Sequence, residues 1–594
     1  MNELFSKIQP KLDENRNWDY SNYMTEHFPR RISGMGDDRR ASEWIVEKFR
    51  SFGLEAEIAE YTAYNSNPVG SFVKVLEPET VTLESRPCCH ISSTPLEGVE
   101  LELLYLGAGD YCDYEGKDVR GKAVLVEVSY SPATPEKARI AYEHGAAAMV
   151  CANWGEDGKT EQDYICGRGL KSVWGNPTPE TWKDIPQIIG VSLTHSGGIY
   201  LRTLCEKNEH VKVNISSQAT RSWDVLPFPV GFLRGSEEPE KYLLVNGHID
   251  AWEPGVTCNA TGDGTIITLA EQLAKLKGKI KRSIYFVCWN GHEIAESAGS
   301  TWWVDKHWDD LQKNCIGGIN IDSTGMLHAV QYECTASREV MDFTKAKIKE
   351  VLGEDTNVLP LNKFGDQSFF GIGITSIVGR MGMSDEYIEK THGANLGWWN
   401  HTIKDGMDKV DRKNLKKDLD VAAAIICDYV NVPVLPCDFT RTCADAKKSL
   451  RDIMAKADPY IEMESIYEGF SALEQKIARI NDFRAELADC SMTDNRVKLL
   501  NTLLLKLSRC LTWVLYTYTD RFEQNSYAYT PAARAIPMLA AAVDLAAMAP
   551  DSLEYHLNLT EAMRNRNRVA QAVNDANEFA ELYLSLIDSA NKFN

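Results

Sequence analysis

Three short apolar runs in the middle of the chain end in side chains that can bind a cation or move a proton. Residues 243–246 lead to His248 and Asp250, residues 283–288 to His292 and Glu293, and residues 318–321 directly to Asp322. A fourth imidazole, His401, follows Trp398, Trp399 and Asn400 in a loop. A lone histidine or aspartate after a strand is commonly a cap or a hydrogen-bonded loop residue. Three clusters at equivalent strand ends, with a loop histidine, point instead to one shared site. Sites in open α/β sheets gather beyond the carboxyl ends of the strands. Imidazole nitrogens and carboxylate oxygens suit zinc, one ion or two, better than manganese or cobalt.

Such a site needs strands to carry the donors and helices to cover them. Strands are expected at 243–246, 283–288, 318–321 and 374–378, with helices at 265–276, 338–351 and 412–430. That alternation predicts an α/β unit with a mostly parallel sheet sandwiched by helices. The segment 65–220 has a different texture. It has strand runs at 99–106 and 122–128, and a helix-to-strand unit at 135–152 built on AYEHGAAAMVCAN. It reads as a β-rich α+β domain. The helical stretch 40–52, ending at Gly53, matches the later α/β unit. The catalytic domain is therefore expected in two pieces, 1–64 and 221–436, with 65–220 inserted between them. From 437 to 594 only one glycine of the chain's 40 remains, Gly469, and Leu500, Leu504, Leu507, Leu511 and Leu515 recur at helical spacing. This predicts an all-helical domain whose leucine stripe is a bundle core, a subunit interface, or both on different faces.

Composition narrows the partners. A chain of 594 residues implies two to four domains. The net charge of -21 disfavours nucleic acid and anionic membranes as partners. The densest basic cluster, 275–282, reads as the polar end of a helix and the turn after it. The first residues lack the basic start and apolar core of a signal peptide. No stretch reaches the ~18 uninterrupted apolar residues of a membrane span. Fifteen cysteines without a secretory signal fit a reduced, cytoplasmic chain. Cys88-Cys89-His90 lacks ligand spacing and reads as buried structure.

The motifs resemble those of the zinc aminopeptidases that include glutamate carboxypeptidase and the transferrin receptor. GHIDAWEPGVTCNATGDG is similar to the family's first metal motif, WNGHEIAESAGS to its glutamate-pair motif, and NIDS and NHTIKDGMDKVD to its last two. PRRISGMGDDRRASEWIVEKFRSFGLE resembles the family's N-terminal opening. The inserted segment resembles a protease-associated domain, and the helices after LPCDF a dimerisation domain. The resemblance implies that His248 and Asp322 bind one zinc and that Glu293 and His401 bind the other, with Asp250 orienting His248 from behind. It also implies a homodimer formed through the helical domain.

Two positions depart from the family pattern. Cys258 stands where the family has an aspartate bridging both metals. It can bridge, bind one ion, leave a single-metal site, or be an ordinary buried cysteine. His292 stands where the family has its glutamate base. A neutral imidazole can accept a proton from water. Glu296 is the other candidate base, and His292 can also serve as a ligand or mark a lost activity. A Cys258–His292 nucleophilic pair is a further arrangement of the same groups. The expected reaction is hydrolysis of a peptide or small amide; the alternative is an inactive or binding scaffold of the transferrin receptor type. Trp398, Trp399 and Tyr387 could line an aromatic substrate pocket or simply pack the loop. Asn400 takes the place of a tyrosine that precedes the ligand histidine in the carboxypeptidase branch. The stretch NSYAYTPAARAIPM lacks the lysine-tyrosine pair with which that branch holds a terminal glutamate.

Overall fold

The computed structural model describes residues 3–208, 210–362, 368–518, 520–523 and 535–591. Its larger site-bearing sheet has eight strands: β1 (Glu55–Asn65), β2 (Ser222–Leu233), β3 (Glu238–His248), β4 (Arg282–Trp289), β5 (Cys315–Asn320), β6 (Gln331–Ala336), β7 (Val358–Pro360) and β8 (Ser376–Gly382). Their spatial order is β1-β2-β4-β3-β5-β8-β6-β7. The four central strands β4, β3, β5 and β8 are parallel. β1, β2 and β4 pair antiparallel on one side, and β6 pairs antiparallel with β8 on the other.

Alternation along β3 shows why this sheet must be covered twice. Leu243 and Val245 join a core with Phe49, Ile266, Leu273 and Ile426, from the helices Asp37–Ser51, Thr261–Ala274 and Arg412–Asn431. Tyr242 and Leu244 join a separate core with Val304 and Leu311, from Ala298–Lys306 and Trp308–Asn314. Each such fully buried aliphatic contributes about 1.5–3 kcal/mol, so helices on both faces are needed. The long pair β1–β2 escaped the sequence reading because Pro227 and Pro229 interrupt β2. Both lie where β2 pairs with β1 alone, before its pairing with β4 begins at Val230. The missing amide hydrogens therefore cost no ladder bond.

A second eight-stranded sheet is built wholly from strands between residues 68 and 219. His90 links this region to the first. It is fully buried, and its Nε2 lies 2.9 Å from the Ile294 carbonyl. After residue 437 the described residues are mainly helical, with long helices at Thr440–Ala457, Glu464–Glu486, Asn495–Leu511 and Leu553–Asn591. All five leucines of the stripe are buried within the chain, so the stripe is bundle core and not an exposed interface.

The basic cluster 275–282 is also more than a solvated turn. Arg282 opens β4 fully buried. It donates to Glu238 Oε2 at 2.7 Å and to the carbonyls of Tyr429, Val432 and Pro433 at 3.1, 2.7 and 2.9 Å. It thus fastens the sheet to the end of the helix Arg412–Asn431, from which the helical region departs. Arg282→Met should lower stability by about 3–5 kcal/mol, because it strands a buried carboxylate and three carbonyls. Urea unfolding followed by tryptophan fluorescence would check this; an unchanged midpoint would contradict it.

Candidate metal centre

The donors meet where the central strands end. β3 terminates in His248, β4 runs into the turn holding His292 and Glu293, and β5 is followed by Asp322. Asn259 ties these ends together. Its amide donates to the carbonyls of His248 and Ile321 at 3.3 and 3.1 Å, and its oxygen accepts from the Ser323 amide at 3.0 Å. His401 arrives on a loop and sits at φ 60°, in the left-handed region. Gly167 N–H holds that residue by donating to its carbonyl at 2.8 Å. A bulky side chain in this conformation is unusual, and such outliers concentrate at functional sites.

Cys258 lies at the middle of the group. Its Sγ is 3.7 Å from His248 Nε2, 4.0 Å from Asp322 Oδ1, 3.2 Å from Glu293 Oε1 and 3.7 Å from His401 Nε2. His248 Nε2 and Asp322 Oδ1 are 3.4 Å apart, and His401 Nε2 and Glu293 Oε1 are 3.0 Å apart. Two donor triads result, one of His248, Cys258 and Asp322 and one of Cys258, Glu293 and His401, with the thiol common to both. The thiol also has its own support. Buried Asp405 accepts from the amides of Thr257 and Cys258 at 2.9 and 3.2 Å. Burial pushes its carboxyl up to about 6. Asp405 lies within the quoted NHTIKDGMDKVD motif, but nothing in the spacing gave it a role.

The electrostatics fit a cation. Burial raises the Glu293 carboxyl, but the imidazoles of His401, His292 and His248 overturn that and hold it well below the usual range. Asp322 behaves alike, burial being outweighed by His248, Arg380 and His292. The Cys258 thiol is driven well above its ordinary value by burial and by the charges of Glu293 and Asp322. Two carboxylates held ionised by the charge of neighbouring imidazoles, beside a thiol that resists ionisation, form a site where a divalent ion can replace that imidazole charge. An ion of the zinc type would do this, and would stabilise the thiolate. The residues present therefore fit the group.

Asp250 works differently from the expectation. His248 Nδ1 lies 2.8 Å from its backbone carbonyl, while its carboxylate stands 4.0 Å away. The carbonyl fixes the tautomer, leaving Nε2 to face the donors. The carboxylate instead accepts from the amides of His292 and Glu293 at 3.1 and 3.0 Å, and from Ser33 Oγ at 2.8 Å. His292 stacks on His248, with ring centres 3.9 Å apart and planes 16° from parallel, within ligand reach of His248 and Glu293. Glu296 lines the same cleft but joins neither triad. The loop that carries it is held by buried Lys171, which donates to the Gly175 and Ala295 carbonyls at 2.6 Å each.

The cleft over the donors has a volume of about 260 Å³. One wall is Trp252, Trp174 and Leu396; another is Thr134, Gly167, Arg168 and Gly169, from the region of the second sheet. Trp252 donates to Glu293 Oε2 at 3.1 Å. It can lie there because residue 167 is glycine: a Cβ would fall 2.2 Å from the indole. Arg168, with its guanidinium 4.3 Å above the Trp154 ring, brings a cation to the cleft. Sequence reasoning missed these walls, since no local pattern brings 167–169 beside 293. The four residues expected to hold substrate are not among the described residues lining the cleft. Trp399 is fully buried, with its indole N–H on Thr257 Oγ1 at 3.1 Å. Asn400 is buried as well, and Tyr387 and Trp398 pack at the core's edge, the Trp398 backbone N–H donating to the Tyr387 hydroxyl at 3.4 Å. The stretch NSYAYTPAAR lies outside the described residues.

Comparisons with known proteins agree with this architecture. Residues 230–426 match the model of Peptidase family M28. A Caenorhabditis elegans protein named glutamate carboxypeptidase 2 homolog is 29% identical over 159 residues, which is 26% of this chain and 19% of that relative. The chain thus spans only 19% to 20% of the length of the first curated relatives it matches. Among solved structures, an aminopeptidase from Aneurinibacillus sp. strain AM-1 superposes with TM-score 0.53 at 20% identity, covering 71% of this chain and 95% of its own. A Peptidase M28 precursor from Shewanella amazonensis superposes with TM-score 0.58 at 15% identity, covering 73% and 98%. At such identities the superpositions speak for the fold alone. Residues 230–426 are thus similar in sequence to Peptidase family M28, and the architecture is the fold of the aminopeptidase structures that superpose on it.

Proposed function

We propose that this chain hydrolyses peptide or other small amide bonds at the cleft, where His248, Asp322, Glu293, His401 and Cys258 would hold zinc. The observation that carries this reading is the position of the Cys258 sulfur, common to two donor triads. The donor separations of 3.0–4.0 Å are of the size that two bonds of ~2.0–2.3 Å to one zinc would span. When bound, zinc supplies Lewis acidity towards the scissile carbonyl and makes water a nucleophile near neutral pH. The names of the similar proteins, an aminopeptidase and a glutamate carboxypeptidase homolog, support the exopeptidase type.

The remaining chemistry falls to the protein. His292 is the base of choice. Its backbone is pinned by Asp250, its ring lies flat on His248, and a ring nitrogen can take the proton of the attacking water and return it to the leaving amine. Glu296, further along the same wall, is the second candidate. Arg168 gives the cleft a fixed positive charge that would anchor an anionic substrate end, a better-placed specificity element than the tryptophans. Fifteen free thiols support a reducing, cytoplasmic setting. No described helix is long and apolar enough to cross a membrane. Leu557, Leu582 and Leu586, exposed on the helix Leu553–Asn591, are the apolar surface that a homodimer of the helical region would use.

Metal analysis of purified protein should find zinc in the cleft, and Cys258→Ala should lower its content or affinity. Protein without zinc at any near-neutral pH would discard the hydrolase reading and leave the binding scaffold. His292→Ala should cut kcat on aminoacyl and dipeptide amides by ~10²–10⁴-fold while zinc content stays constant. Undiminished turnover would move the base role to Glu296. Asp250→Asn should weaken zinc binding by ~10–100-fold, since one of the two oxygens that accept from the His292–Glu293 turn becomes an NH2 group facing an amide N–H; competition with a fluorescent chelator would measure this.

A further inference from the structure

A second donor group lies on the seam between the 65–220 region and the loop leading to His401. Asp157 is exposed on the stretch after the strand Ala148–Ala152. His195 begins the helix His195–Lys207, and His392 follows the helix Asp385–Lys390. His195 Nε2 is 2.8 Å and His392 Nε2 3.4 Å from the same oxygen, Asp157 Oδ1. The two imidazole centroids are 5.0 Å apart, and all three donor atoms lie within 4.8 Å of one another.

The hydrogen bonding around His195 carries the argument. Its Nδ1 sits 3.0 Å from the Asn153 carbonyl oxygen, which can only accept, so the Nδ1 proton is committed there. In the neutral ring Nε2 is then a bare acceptor. It nevertheless faces a carboxylate oxygen at 2.8 Å. Two acceptors at that distance need a positive charge between or on them. A carbonyl behind one imidazole nitrogen and a carboxylate before the other is also how metal-binding histidines are commonly oriented.

We propose that Asp157, His195 and His392 form a divalent-cation site, best suited to zinc, separate from the cleft. Two imidazoles and one carboxylate are a borderline donor set that prefers zinc to magnesium or calcium. Tetrahedral bonds of ~2.0–2.1 Å would space neighbouring donors by about 3.3 Å. The His392 separation already has this value. The His195 pair must open by about 0.5 Å, which exposed Asp157 can accommodate; a water would take the fourth position.

The site would act as a clip. Beside it, Glu156 pairs with Lys390 at 3.1 Å and Gly155 N–H donates to the Thr391 carbonyl at 3.0 Å. The same seam continues through Trp154 to the Trp398 carbonyl at 3.3 Å, Cys166 to that of Asn400 at 3.1 Å, and Gly167 to that of His401 at 2.8 Å. A cation here would fix the contacts that set both His401 and the Arg168 wall. The proposal stands whether or not the cleft hydrolyses amides.

The test uses the full chain, stripped with EDTA and reloaded with zinc, as parent, Asp157→Ala and His392→Ala. Bound zinc is counted by mass spectrometry, and hydrogen exchange is followed in residues 153–165 and 388–396. Each variant should bind one zinc fewer than the parent. In the parent, opening of both segments should be suppressed about 100-fold at free zinc about 100 times Kd, and in neither variant. Asp157 is largely exposed, so its variant will fold, which far-UV circular dichroism verifies. Equal zinc counts in all three proteins, or exchange in the parent that ignores zinc, would overturn the proposal. His248→Ala should keep the seam protection, so loss of cleft metal and loss of seam metal are read separately.

Discussion

A carboxylate with no access to water organises the centre. Asp250 is fully buried, and it follows β3 by two residues. A buried carboxylate needs donors, and a buried turn needs acceptors for its amides. Asp250 and the His292–Glu293 turn meet both needs at once, so the ends of two parallel strands are locked in one geometry. Ser33 adds a third donor and so brings the first part of the chain into the same bond set. Arg31, two residues earlier, is buried and donates to the carbonyls of Phe28, Ile249 and Gly255 at 3.0, 3.0 and 2.8 Å. The N-terminal segment is thus structural support for the centre, despite a separation of more than 200 residues.

The charge balance follows from this arrangement. Asp250, Asp263, Asp322 and Asp405 are buried and Glu293 half-buried near one point, and Asp263 is pushed up to about 7 mainly by burial. Arg31 and three imidazoles offset part of that acidity. The uncommitted remainder falls on the side facing the cleft, around the thiol. A pocket of this type tolerates a neutral Cys258 and would gain from a cation, so metal binding and local structure would be coupled.

What could be read from the sequence divides along the same physical lines. An apolar run followed at once by a donor is a local signal, and the strand ends that bear His248, Glu293 and Asp322 follow it. The role of Asp250 was misread because a sequence cannot tell whether a side chain or its own carbonyl reaches a neighbouring imidazole. Trp399 and Asn400 adjoin His401 in sequence, yet the loop turns sharply at Gly397, φ 88°, and sends both inward. Adjacency in a loop says little about direction. The prolines of β2 hid a strand whose weak side has no partner. Arg168, Gly167 and Trp252 meet only through tertiary packing, which no window of sequence contains.

The cleft's opposite faces come from separate stretches of chain, and they are of unequal stringency. The donors sit on tightly bonded strand ends where nearly every substitution disturbs a neighbour. The facing wall is the loop 167–169 and the start of the helix Thr134–Glu143, and its Gly167 N–H is fastened to the His401 carbonyl. On the proposed reading, reactivity and selectivity lie on different stretches of chain, joined where Gly167 meets both His401 and Trp252.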